Sequence, residues 1–416
     1  MRKPLVAAAL GWGLDAFDFY LYVYALPSIL IAFHASNTAG GLLATYTLVA
    51  SAIGGVAMGM LADRIGRAKT LMISIAWYAL FTFASGLAQS YGQLAVFRAL
   101  EGFGFGGEWA VGSVLIAEWS SSANRGRNLG FVQSSWALGW LAANIVFQIV
   151  AANAAPQIAW RLLFFTGILP ALAVFYIRRN VSDAPRQERL DYARRPSIPQ
   201  DDKNIPQDDK NIPHDDKIRG KNLVFASLLA AGAQSGYYAV FTWLPTYLHT
   251  QRHLPAVGTG SFLYFVIGGA FAGYVCSGYI NDAIGRRKTF ALFAICSAII
   301  VPVYLTLIRA DWQLYIAGPL LGFFASGIFS GFGAFLSELF PANVRATAQG
   351  FCYNFGRGVA GFAPALIGVL SAGHSIGTAM TIVAMCSYGV VVIAAAVLPE
   401  TRHAPLDASG SFDTSG

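Results

Sequence analysis

Asp15 and Asp18 stand three residues apart inside the apolar stretch GWGLDAFDFYLYVYALPSIL, and Glu108 stands inside a second one, FGFGGEWAVG. Carboxylates at i and i+3 project from one side of a helix. Crowded in a poorly hydrated site, two of them cannot both ionise comfortably, so one would hold and release a proton. That is the chemistry of a reversible proton carrier, with Asp15, Asp18 and Glu108 as candidates. The competing reading is that one of the pair bonds a backbone amide or an arginine. In the second half of the chain, Arg357 of YNFGRGVAGFAP is the charge buried deepest in an apolar run. A guanidinium stays charged and grips a carboxylate through two parallel N–H groups. Arg357, with Asn354 one turn away, is therefore the first candidate for holding an organic anion, and a salt bridge to an acid of the first half is the alternative. Arg98 can do the same, or can pair locally with Glu101 one turn on. Gln234, Tyr237 and Tyr238 share a helix face and offer either hydrogen bonds to a substrate or aromatic packing.

These groups need elements that carry them into oil, and the composition provides for that. The chain is 56% hydrophobic and 12% charged, about half the charged share of a soluble domain. Twelve apolar runs lie near 8–33, 39–62, 69–89, 92–118, 126–150, 159–178, 221–248, 256–281, 288–308, 311–337, 345–371 and 376–398. Each is long enough for ~20 helical residues to cross ~30 Å of hydrocarbon. The expected fold is an all-α membrane protein with twelve transmembrane helices, its helix contacts made by frequent Gly, Ala, Ser and Thr. Asp18 then lies ~15 Å and Arg357 ~18 Å from the starts of their helices, near mid-membrane. Ionisable groups at that depth face a cavity and serve a function.

Basic residues cluster on one side: Arg2, Lys3, Arg64, Arg67, Lys69, Arg125, Arg127, the segment from Arg178 to Lys221, Arg286, Arg287, Lys288, Arg345 and Arg402. By the positive-inside rule both termini and the central loop are cytoplasmic and the protein is a multi-pass plasma (bacterial inner) membrane protein. The +7 net charge reflects this rule, so no nucleic-acid partner is expected. MRKP and the run behind it are read as the first helix, since two acids and eleven further spans do not suit a cleaved signal. Cys276, Cys296, Cys352 and Cys386 fall inside spans with no metal-ligand spacing, and the histidines lie in loops or at helix ends, so no metal site or enzyme chemistry is expected. Gly102, Gly104 and Gly107 spell GxGxxG, but no strand precedes them and no nucleotide site follows.

Between the sixth and seventh runs lies IPQDDKN-IPQDDKN-IPHDDK, whose Pro, Asp and Lys content cannot bury enough apolar area to order itself. The segments flanking it resemble each other. GMLADRIGRAKT matches SGYINDAIGRRKT, and AEWSSSANRGRNLG matches SELFPANVRATAQG, at offsets of 219 and 220 residues. The expected organisation is a six-helix bundle over 1–178, a disordered linker over 179–220, a second bundle over 221–398 and a tail over 399–416. Such duplicated halves place a substrate site between them near mid-membrane.

The pattern G-x-x-x-D-R-x-G-R, present as Gly59–Arg67 and in weaker form as Gly278–Arg287, resembles the loop signature of the major facilitator superfamily. GWGLDAFDF, GFGFGGEWAVG, WRLLFFTGILP and YNFGRGVAGFAP are similar to motifs of that superfamily's sialate and lactate (organic acid):proton symporters. The resemblance implies two pseudo-symmetric six-helix bundles that rock against each other to give alternating access. It implies gating by Gly59, Asp63, Arg64, Arg67, Glu118 and Arg125, and by Asp282, Arg286, Glu338 and Arg345. It further implies import of a small organic acid anion, a monocarboxylate or an acidic sugar, with H+ as coupling ion, no cofactor and a monomeric carrier in the lipid bilayer. A proton-driven efflux antiporter is the second reading.

Overall fold

The computed structural model describes residues 2–119, 125–180, 216–340 and 344–402. The first half comprises α1 (Arg2–Ala32), α2 (Asn37–Ile65), α3 (Arg67–Ser85), α4 (Tyr91–Trp119) and α5 (Arg125–Asn153), with a sixth span made of α6 (Pro156–Thr166) and α7 (Ala171–Asn180). The second half opens with α8 (Asp216–Phe241) and α9 (Leu244–Thr250) as one span, then α10 (Ala256–Ile284) and α11 (Arg286–Pro302), which ends in a π-turn. It closes with α12 (Asp311–Gly327) joined to α13 (Phe332–Leu339), α14 (Arg345–Ala360) joined to α15 (Phe362–Leu370), and α16 (Ile376–Val397).

The described helices thus form twelve spans. Ten are long and apolar enough to cross a bilayer on those grounds alone. The other two, α4 and α14–α15, are the spans that carry Arg98, Glu101 and Arg357. Spans that read as single runs are broken where a proline removes an amide donor. Pro170 precedes α7, Pro245 sits in the first turn of α9, and Pro364 follows the Gly361 joint before α15. The helix α8 starts at Asp216, inside the stretch read as linker, where a carboxylate suits a helix N-terminus. The rest of the heptad repeat, through Asp215, and the tail beyond Arg402 lie outside the described residues. Large apolar side chains such as Ile53, Met60, Leu80, Ile316 and Ile393 are exposed, as expected of a surface solvated by lipid.

Each half is locked by glycines that meet a backbone carbonyl of the neighbouring helix. In the first half Gly54 abuts the Phe103 carbonyl and Gly102 the Thr47 carbonyl, joining α2 to α4. In the second, Gly273 abuts the Phe323 carbonyl and Gly322 the Val266 carbonyl, joining α10 to α12. All four pairs correspond under the same offset of 219 or 220 residues. The loop glycines correspond as well: Gly66 and Gly285 adopt φ of 108° and 98°, a conformation that favours glycine. The chain is therefore two copies of one packing scheme.

The halves touch mainly on the face away from the chain termini. There Asn144 Nδ2 of α5 donates to the Gly260 carbonyl of α10 at 2.9 Å, and Asn37 Nδ2 of α2 donates to Ser371 Oγ at 3.0 Å. Toward the face that carries the termini, α1 and α5 part from α10 and α13. A crevice of about 910 Å3 opens between them, walled by Leu10, Phe131, Leu138, Phe271 and Val275. The molecule is closed on one side and opening on the other.

Candidate functional site

Asp15 and Asp18 are both completely buried, yet they serve different neighbourhoods. Asp18 faces Glu101 and Arg98 of α4 and the Thr82 hydroxyl of α3. Glu101 in turn lies 3.4 Å from Arg98, with both side chains at 0% exposure. The Arg98 guanidinium is held over the rings of Tyr22, at 4.7 Å, and Phe164, at 5.7 Å. Asp15 instead faces Tyr238 and Tyr353, the two tyrosines that also face Arg357. The carboxyl that crowds Asp18 is thus Glu101, and the expected crowding by Asp15 is corrected. Residues three apart on a helix differ by about 60° and ~4.5 Å of rise, enough to reach different helices.

Arg357 is 1% exposed, and its guanidinium carbon lies 5.2 Å from the Phe105 ring centre and 5.3 Å from that of Tyr353. Its Nε and Nη1 have no hydrogen-bond partner among the described residues. Close by, seven aromatic residues (Trp12, Trp136, Tyr237, Tyr238, Tyr274, Phe329 and Tyr353) and the amide side chain of Gln133 surround a cavity of about 20 Å3 between the halves. That is room for about one water. The cavity is roofed by a bond across the halves, Tyr20 Oη to Tyr237 Oη at 2.7 Å, and Trp136 Nε1 donates to the same Tyr237 oxygen at 2.8 Å. Above this, Tyr20 stacks on Trp140 at 4.3 Å and Trp140 Nε1 donates to Tyr24 Oη at 3.0 Å. The arrangement is a buried cation with spare donors, aromatic rings against it, and a carboxyl that faces two of the same tyrosines. It can hold an organic anion once the cage widens.

The other expected residues divide. Tyr237 and Tyr238 line the cage. Gln234 Nε2 donates to the Tyr353 carbonyl at 2.9 Å and braces α8 on α14. Asn354 is turned away from Arg357's cage, donating to Gly350 of its own helix at 3.0 Å and packing on Gly55 of α2. Arg98 lies inside the first bundle with Glu101. Near the terminal face, Arg286 donates Nε and Nη2 to Glu338 at 3.1 and 3.0 Å and Nη1 to Asp282 at 2.8 Å. Glu338 also accepts from the Thr401 hydroxyl at 2.6 Å, while Glu400 accepts the backbone N–H groups of Arg286 and Arg287 at 2.8 and 3.1 Å. Arg345 Nε reaches the Phe340 carbonyl at 3.2 Å. Gly59 and Gly278 have nothing among the described residues within 4 Å of where a Cβ would stand. Arg64 is exposed. The side chains of Asp63, Arg67, Glu108, Glu118 and Arg125 lie outside the described residues.

Sequence reasoning passed over the aromatic partners Trp12, Phe105, Trp136 and Tyr353. One signal was available: Tyr20 and Tyr24, and likewise Trp136 and Trp140, are spaced at i and i+4, which places large amphipathic rings on single helix faces. What that spacing cannot give is which two faces meet.

A family model, Major Facilitator Superfamily, matches residues 8–277 and 257–414. The chain is 38% identical over 412 residues to a probable 4-methylmuconolactone transporter of Cupriavidus pinatubonensis, covering 99% of this chain and 94% of that one. It is 32% identical over 399 residues to the cis,cis-muconate transport protein of Acinetobacter baylyi, covering 94% and 92%. It is 27% identical over 397 residues to the sialic acid transporter NanX of Escherichia coli, covering 94% and 93%. Among solved structures, the proton:xylose symporter XylE bound to 6-bromo-6-deoxy-D-glucose superposes with a TM-score of 0.75 at 17% identity, covering 98% of this chain and 97% of that one. At that identity the likeness speaks to the fold.

Proposed function

The chain belongs to the major facilitator superfamily, and from that premise we propose that it imports a small organic-acid anion together with protons by alternating access. The observation that carries this reading is Arg357, buried at 1% exposure with Nε and Nη1 unpaired among the described residues, held between the Phe105 ring of the first half and the Tyr353 ring of the second. A carboxylate is the ligand that a planar fork of N–H donors fits.

Charge balance then supplies coupling. With the site empty, Asp15 as carboxylate and Arg357 as cation sum to zero. An anion on Arg357 leaves one surplus negative charge in a site of low dielectric, and a proton on Asp15 cancels it. The empty and the doubly loaded sites are neutral and can reorient, whereas a site holding only one passenger is charged and resists. Asp18 and Glu108 remain further candidates for proton binding on the same helices. The termini and central loop face the cytoplasm under the positive-inside rule, so the crevice beside α1 and α5 is the inward-opening path. Aromatic walls favour a flat unsaturated or aromatic acid over a saturated one, because ring faces stack on π-systems. The names of the muconate and muconolactone relatives agree with that preference.

The test is uptake by proteoliposomes under an inward-directed pH gradient, offering labelled benzoate, muconate, lactate, pyruvate and sialate. The expected result is gradient-driven accumulation of one or more, the flat acids ahead of lactate. Absence of uptake of every carboxylate, with and without the gradient, refutes the proposal.

A further inference from the structure

We propose that Asp18 and Glu101 form a second proton-binding site, in which the two carboxyls share one proton and Arg98 carries the balancing charge. All three side chains are at 0% exposure. Counted as ions, two carboxylates and one guanidinium leave a net charge of minus one sealed inside the first bundle, which desolvation penalises heavily. One proton brings the cluster to neutrality.

The hydrogen-bond inventory points the same way. Both carboxyl oxygens of Asp18 and both of Glu101 are buried without a donor among the described residues. The nearest cation, Arg98 Nη2, stops 3.4 Å from Glu101 Oε2. The Arg98 nitrogens and the Thr82 hydroxyl are also unpartnered among the described residues and can turn to the outer oxygens. Two ionised carboxylates side by side, however, are acceptors only, and a carboxyl O–H is the donor that can join them to each other. The groups facing the pair are few. The helix α4 supplies Arg98, α3 the Thr82 hydroxyl, and Tyr22 of α1 and Phe164 of α6 cover the guanidinium. Neither the crevice nor the central cavity is lined by Asp18, Glu101 or Arg98, so the shared proton is enclosed in this conformation.

This gives α1 one acid for each of two tasks. Asp15 faces the anion site, and Asp18, one turn on, faces a proton store inside the first bundle. That division of labour rests on the function proposed above; the shared proton itself does not. The test uses infrared spectroscopy of the full-length purified protein at neutral pH, reading the carbonyl stretch of a protonated buried carboxyl. The wild type should show the band, and Asp18→Asn and Glu101→Gln should each abolish it, because the remaining carboxylate then pairs with Arg98. Asp15→Asn should leave it in place. If either amide variant fails to fold, the exchanged pair Asp18→Glu with Glu101→Asp keeps two acids and should keep the band. A wild type without the band, or two single variants that each retain part of it, overturns the proposal. Lack of carboxylate uptake would refute the proposed function and leave this measurement intact.

Discussion

Removing one oxygen atom, in Tyr237→Phe, should tilt the carrier toward its outward-facing state. Tyr237 belongs to the second half, but its hydroxyl bonds two groups of the first, Tyr20 Oη at 2.7 Å and Trp136 Nε1 at 2.8 Å. Tyr20 is fully buried and Trp136 is 4% exposed, so the substitution strands two polar groups in the closed roof. Each stranded group costs about 1–3 kcal/mol. The vacated oxygen adjoins a cavity of about 20 Å3, so a water can enter and satisfy part of the loss. The lower end, about 2 kcal/mol, is therefore the appropriate figure, and it corresponds to a shift of about 30-fold between the two states. Opening the roof exposes both groups to water and removes the penalty, so the shift favours opening. Spin labels on cysteines replacing the exposed Ala32 and Ala372, near the Asn37–Ser371 bond of the closed face, would report the distance in a background freed of the native cysteines. The expected result is a new population at longer distance in Tyr237→Phe. An unchanged distance distribution with normal folding would refute the idea that this hydroxyl bolts the roof.

Arg357→Lys should keep the charge but lose one of two charge-assisted hydrogen bonds, about 1.5–3 kcal/mol, so affinity for the carboxylate should fall about 10- to 150-fold in equilibrium binding. Wild-type uptake should rise as external pH falls, because the acid beside Arg357 must gain its proton before the anion is tolerated. Asp15→Asn should flatten that pH profile and abolish accumulation against a gradient while counterflow exchange persists. Gly322→Ala should be poorly folded, because a methyl group there would overlap the Val266 carbonyl and the helices must separate. The thermal midpoint in detergent reads this, and Gly278→Ala, with nothing within 4 Å, is the neutral control.

The twelve spans were legible because crossing oil demands apolar length, and that demand is written locally in sequence. So was the duplication, through motifs at a constant offset. Helix interruptions before Ala171, at Thr242–Trp243 and at Gly361 were not, since proline or glycine within an apolar run also occurs in continuous membrane helices. At the candidate site, spacing identified Asp15, Asp18 and Arg357 as residues that do not belong in lipid. It found one part of their company, the local pair of Arg98 and Glu101 at 3.4 Å, but only the approach of α1 to α4 shows that Asp18 joins that pair. Asn354 looked like a ligand by proximity along the helix, but its side chain points at the seam with α2. Periodicity gives the face of a helix; it does not give the helix opposite.

The matched glycine-to-carbonyl locks carry a historical consequence. Gly54 and Gly273 meet corresponding carbonyls, as do Gly102 and Gly322, so this joint was settled before the ancestral unit was copied. What has diverged since is what each copy carries at mid-membrane: acids grouped with an arginine in the first, and the Arg357 guanidinium in the second. Specialisation came through cargo-handling side chains on a chassis that neither copy was free to redesign.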